Sequence, residues 1–211
     1  MAFLAHELHP TTVHFPLTLL PSAVVMDALA AASGNRTLDG VGRGLWWSAT
    51  AAGLVAGVSG MAASQEVRAD APRARRRMLL HGLGNASILA AALGVTVWRS
   101  AHRASWATAG LGLLASAAAV VTATLGGELV YSDGVGVKAL PASAPQGVGD
   151  SPPLFRNGGL PALLRDAVRG VAWLVRNAGE ALRWDETTKQ ALLPGPDSGV
   201  ACRPESGATA P

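Results

Sequence analysis

The sequence predicts an all-α membrane protein: a four-helix transmembrane up-down bundle, then a C-terminal amphipathic helix and a disordered tail. Three observations carry this. Of the 211 residues, 49% are hydrophobic and only 15% charged, where a soluble domain carries about 25% charged residues. Four separate stretches reach the roughly 20 mostly apolar residues that a membrane span needs. The polar loops between them, SGNRTLDGVGRG, SQEVRADAPRARRR and RSAHRA, are short, and short connections make successive helices antiparallel neighbours.

The first span is read from about Thr12 to Ala32. Pro10 and Pro16 stand at its threshold, and Pro21 lies deeper, where a kink is expected. No basic n-region precedes this run and prolines interrupt it, so it reads as a retained span rather than a signal peptide. The second span runs from about Leu45 to Ala63, with Gly53, Gly57 and Gly60 spaced for close helix packing. The third runs from about Met78 to Trp98 and the fourth from about Ser105 to Tyr131. No internal repeat is visible.

Arginine sets the orientation, because lysine is confined to Lys138 and Lys189. Arg68, Arg73, Arg75, Arg76 and Arg77 lie between spans two and three, with Lys138 after span four on the same side. Arg36, Arg43, Arg99 and Arg103 lie on the other. The bias places both termini in the cytoplasm of a cell whose inner (plasma) membrane holds a multi-pass protein. Trp46, Trp47, Trp98 and Trp106 fall together at the opposite interface, as an aromatic belt would. The pI near 9.7 comes from these arginines, and in a membrane chain it reads as topology rather than nucleic-acid binding. The single Cys202 excludes an intrachain disulfide and a CxxC metal site.

Beyond residues 1–138 the chain changes character. Residues 139–157 form a linker rich in proline, glycine and serine, LPASAPQGVGDSPP at its centre. Residues 158–185 carry the amphipathic helix. There Leu160, Leu164, Ala167, Val168, Val171, Leu174, Val175, Ala178 and Leu182 share one face, opposite Arg165, Arg169, Arg176 and Arg183. Such a helix suits an anionic membrane surface; packing on the protein's own loops or on a partner is the alternative. Residues 186–211 read as disordered.

Up-down topology gathers polar side chains at one end of the bundle. His14 sits near the start of span one and His81 in the first turn of span three, with Asn85 one turn deeper and Glu128 near the end of span four. Gln65 and Glu66 follow span two, and His9 lies just outside. Neutral imidazole binds haem iron, zinc or copper. His14 and His81, at comparable depth on different helices, are therefore candidate axial ligands of a b-type haem, with Asn85 and Glu128 supporting them. His9, His14, His81 and Glu128 are the alternative set for a single metal ion. A quinone or lipid-headgroup site and a proton path also fit. The plain structural reading pairs Glu128 with an arginine, uses Asn85 as interhelical glue and leaves the histidines as interfacial caps. No pair has a dedicated metal spacing such as HExxH, and no catalytic set is read.

Asp27, deep in span one, is a second functional candidate by its depth alone. Its structural reading is an aspartate bonded to Ser48 or Thr50. GGELVYSDGVGV follows a membrane helix and not a strand, so it is not read as a phosphate loop.

Residues 8–138 resemble a bacterial integral membrane family, the domain of unknown function 2231. HPTTVHFPLTLLPSAVVMDAL is similar to its opening and WWSATAAGLVAGVSG to its second helix. HGLGNASILA resembles its third helix and TLGGELVYSDGVGV the end of its fourth. His9, Pro10, His14, Phe15 and Pro16 carry the first motif, His81 and Asn85 the third, and Gly126, Gly127, Glu128, Val130, Tyr131 and Gly134 the last. The resemblance implies a four-helix membrane domain with no established activity. Some members are joined to Rieske-type iron–sulfur domains, which implies redox work. This chain lacks the family's aspartate after the second helix, in GMAASQEV, and its tail has no Rieske ligands, so an electron partner would be separate.

Two functions are expected from this. One is a redox or cofactor-binding membrane subunit. The other is a non-catalytic membrane anchor or assembly protein acting through its tail helix. A solute transporter fits less well, because there is no repeat and the polar cluster is interfacial rather than central.

Overall fold

The computed structural model describes residues 5–67, 69, 71–136 and 157–193. The described residues are helical, with no strand among them. The helices are α1 (Ala5–Thr12), α2 (His14–Ser33), α3 (Arg36–Glu66), α4 (Pro72–Ala101), α5 (Trp106–Tyr131), α6 (Gly159–Ala181) and α7 (Glu186–Leu192). The expected linker at 139–157 and the tail beyond 193 lie outside the described residues, save for Asn157 at the linker's end.

Four spans, each long and apolar enough to cross a membrane, run over Glu7–Ser33, Arg36–Glu66, Pro72–Ala101 and Trp106–Tyr131. They form a ring in which α2 packs on α3 and α5, and α4 packs on the same two helices. The interior is built from small and medium residues: Leu20, Ala23, Val24, Ala49, Ala92 and Val95 around a fully buried Trp46. The large aliphatics Leu54, Val55, Leu113, Leu114 and Val121 point outward. Large aliphatics outside and small and medium residues inside suit hydrocarbon as solvent, where close backbone packing replaces the hydrophobic drive.

The first three spans extend past their expected ends, and the helix boundaries have identifiable causes. Gly34 takes a left-handed conformation (φ 66°) and closes α2. Asn35 then caps α3 by accepting from the Thr37 and Leu38 amides, so the polar segment RTLDGVGRG joins the helix instead of forming a loop. Pro72 in the first turn starts α4, and the arginine run becomes its first turns. Ser105 and Thr108 make a reciprocal capping box at the start of α5, at the expected boundary. Span one is continuous through Pro21 and breaks at Val13, where Pro16 has no N–H to give the Thr12 carbonyl. Trp46 is in the core, so the expected belt consists of Trp47, Trp98 and Trp106, all exposed.

Gly112 lets α5 approach this core. A Cβ there would overlap a Val24 methyl and lie 2.9 Å from the Trp46 ring. Gly112→Ala should therefore lower stability by about 1–3 kcal/mol through overpacking, seen as an earlier thermal unfolding midpoint in detergent. An unchanged midpoint would mean that the α2–α5 contact yields freely.

The tail folds back on the bundle. α6 packs on α3 and α4, and α7 on α4. Leu163 and Ala167 close over Ala62, Met61 and Leu8. At Gly170 the α6 backbone meets the Met61 carbonyl so closely that only glycine fits. Residues 186–192, expected within the disordered tail, form α7, capped by the Asp185 carboxylate on the Thr188 amide at 2.8 Å. That bond and the Arg76 guanidinium hold the Asp185 carboxyl below its ordinary value.

Candidate functional site

The end of the bundle under α6 carries the histidines. His9, on α1, turns toward α3, where Gly60 leaves room for its ring; its Nδ1 donates to the Ala56 carbonyl at 2.9 Å. His81, on α4, turns toward α5, where Gly126 leaves equivalent room; its Nδ1 donates to the Thr122 carbonyl at 2.7 Å. The two rings meet edge to face with centroids 6.3 Å apart. Because a carbonyl only accepts, each Nδ1 carries the proton and each neutral ring keeps its acceptor lone pair on Nε2. His9 Nε2 makes no hydrogen bond among the described residues.

Asn85 supports His81. Its Nδ2 donates to the His81 carbonyl at 2.8 Å and to the His81 Nε2 at 3.3 Å, while its Oδ1 accepts from the Thr122 hydroxyl at 3.1 Å. It bonds across helices, as the interhelical reading expected. Thr12 and Ser59 add a hydroxyl contact at 3.3 Å beside His9. Thr122 and Ser59 were not singled out from the sequence, and a threonine or serine in a small-residue span gives no separate signal.

His14 goes elsewhere. It is five residues from His9, about 140° round a helix at 100° per residue. With His9 facing α3, His14 is exposed on the outward side of α2, and its side chain makes no hydrogen bond among the described residues. The imidazole that meets His81 is thus His9 and not His14. Glu128 accepts from the Ser132 hydroxyl at 2.6 Å and lies 3.8 Å from Arg77, as the ion-pair reading expected. No group of three or more His, Cys, Asp or Glu side chains converges at metal-binding spacing among the described residues. The four-residue set of His9, His14, His81 and Glu128 is therefore not assembled in this conformation. Gln65 is exposed and bonds Ser64, while Glu66 is buried.

Arg77 is fully buried and organises this end. Its Nη1 donates to Asp133 at 2.6 Å, Nε to the Ala191 carbonyl at 2.9 Å and Nη2 to the Leu193 carbonyl at 2.8 Å. Arg76 bonds the Glu180 carbonyl and the Asp185 carboxylate, and Arg75 bonds Asn177. The arginine run that reads as topology also ties down the tail.

Asp27 belongs to a second cluster at the tryptophan end. Its carboxylate accepts from Arg99 Nε and Nη2 and from the Trp46 indole, all at about 3 Å. Arg99 also reaches Asp39 at 3.0 Å and the His102 carbonyl. Asp39 in turn accepts from the Ala104 amide and Arg43. Arg99 and Trp46 take the place expected of Ser48 or Thr50; Thr50 bonds Thr96 instead, at 2.7 Å. Asp27 and Arg99 are both completely buried and hydrogen-bonded, and Gly42 abuts the Asp27 carboxylate, so this pair is closed off. The cluster is a brace joining α2, α3, α4 and the α4–α5 turn.

A family model described as "Predicted membrane protein (DUF2231)" matches residues 5–139 of this chain. No curated protein and no solved structure matches it.

Proposed function

The chain belongs to the DUF2231 family of predicted membrane proteins, and from that premise we propose that it is a cofactor-binding membrane subunit whose ligands are His9 and His81. One observation carries this reading: two imidazoles from different spans face each other, each with Nδ1 held by a helix carbonyl. That outer hydrogen bond fixes the tautomer that presents Nε2, as in metal-ligating histidines generally. Neutral imidazole nitrogen suits haem iron, zinc or copper, and each would supply redox or Lewis-acid chemistry when bound. Asn85 positions His81 through its carbonyl, and Gly60 and Gly126 give both rings their places against the helices. Asp27 takes no part. The arginine bias supports a cytoplasmic location for this end in the inner membrane, and electron transfer would need a separate redox partner.

The test is to purify the full chain in mild detergent from cells replete with haem and metals. Absorption before and after dithionite and assay of bound metals then read the centre. His9→Ala and His81→Ala should each remove it, while His14→Ala should leave it in place. A Soret band that follows this pattern identifies haem. A colourless, metal-free protein, or a centre that survives both substitutions, overturns the proposal.

A further inference from the structure

α6 has three faces. The face toward the bundle carries Ala162, Leu163, Asp166, Ala167, Gly170 and Leu174, all buried. A second, roughly a third of a turn away, carries Leu160, Leu164, Val168, Val171, Val175 and Leu182, all exposed. A third carries Arg165, Arg169 and Arg176, with Arg183 just past the helix end, all exposed. Docking on the bundle thus uses Leu163 and Leu174 set among small residues, and leaves the aliphatic side chains of the next face uncovered.

The depth of α6 decides what covers them. Leu174 packs on Gly82, and Gly170 on Met61. Gly82 lies ten residues into α4, about 15 Å from its start, and Met61 lies five residues, about 7.5 Å, before the end of α3. The 30 residues of α4 span about 45 Å, where hydrocarbon is about 30 Å thick. Centred spans cross the hydrocarbon boundary about 7.5 Å from their ends, so α6 meets α3 at the boundary and α4 about 7.5 Å inside it, and its uncovered stripe continues their outward apolar surface. Arg176 and Arg183 have no carboxylate partner among the described residues, while Arg165 and Arg169 share Asp166.

We propose that α6 is a lipid-binding collar: its aliphatic stripe lies in the acyl-chain boundary beside the bundle, and its arginines bind anionic phospholipid headgroups. This agrees with the physics of interfacial helices, in which apolar burial and attraction to anionic lipid act together. It does not rest on the histidine reading.

The test uses the full chain carrying Cys202→Ser, with one cysteine introduced at a time by Val168→Cys, Val171→Cys, Val175→Cys, Arg169→Cys or Arg176→Cys. Each variant is spin-labelled and placed in nanodiscs of phosphatidylcholine with or without phosphatidylglycerol. Labels at 168, 171 and 175 should meet oxygen several-fold more than a water-soluble nickel chelate, and labels at 169 and 176 should show the reverse. Adding phosphatidylglycerol should reduce nickel access at 169 and 176, and Arg183→Gln should weaken that response. Nickel access at 168, 171 and 175 would put the stripe in water. Protection there from both reagents would mean that a second copy or a protein partner covers it. No response to phosphatidylglycerol would remove the headgroup site. Each of these results overturns the proposal.

Discussion

Arg99→Ala should be the most destabilising single change in the membrane domain, costing about 3–5 kcal/mol. The substitution leaves the Asp27 carboxylate completely buried with the Trp46 indole as its remaining donor among the described residues, and strips Asp39 of one of its two arginine partners. Native domains are stable by only about 5–15 kcal/mol, so the loss takes a large part of the whole. Thermal unfolding in detergent measures it. The double change Asp27→Leu with Arg99→Leu separates charge from packing. Replacing a buried pair by apolar groups is often close to neutral, so the double variant should recover most of the loss. If it unfolds as early as Arg99→Ala, shape rather than charge pairing holds the brace.

The spans were legible because a membrane helix announces itself by composition, and their order alone put His14, His81, Asn85 and Glu128 at one end, with His9 just outside. What escaped the sequence reading depends on direction or distance. His14 reads as the partner of His81 because it lies within the span, with His9 outside it, yet their five-residue spacing prevents both from facing α3 and it is His9 that does so. Arg99 reads as an interfacial charge until Asp27 is seen at the same depth on another span; a buried acid in a span calls for a cation at its own level, and that was the available signal. Trp46 and Trp47 are adjacent, and helix geometry sends one into the core and the other to lipid. The extension of α3 back to Arg36 rests on a cap by Asn35 that outweighs a polar, glycine-containing segment. α7 was illegible for another reason. Its seven residues make a marginal helix alone, and what holds it comes from α4, more than a hundred positions earlier in the chain.

That dependence makes Arg77→Ala the second large effect, and a local one. Arg77 spans the C-terminal carbonyls of α7 and the Asp133 carboxylate after α5, so its loss releases α7 and leaves Asp133 with the more distant Arg73, at 3.9 Å. Cations favour helix C-termini and bonds to charged groups are the stronger kind. A cost of about 3 kcal/mol corresponds to roughly a hundredfold larger open population. Trypsin cleavage after Lys189 should therefore accelerate on the order of a hundredfold, while α6 stays seated through Gly170 and the packing of Leu163 and Ala167 on Ala62. Acid should act on the same element through Asp185. Its carboxyl titrates below the ordinary aspartate value in the folded chain, so its cap and its bond to Arg76 contribute fully above that value, about 3.9. The contribution is lost as pH falls through the depressed value, and an acid-stable protease should find α7 only there. Asp185→Asn should flatten this acid response without changing cleavage at neutral pH as much as Arg77→Ala does. If Arg77→Ala leaves the Lys189 site as protected as in the unaltered chain, α7 is held by its own contacts with α4, and the buried guanidinium serves Asp133 alone.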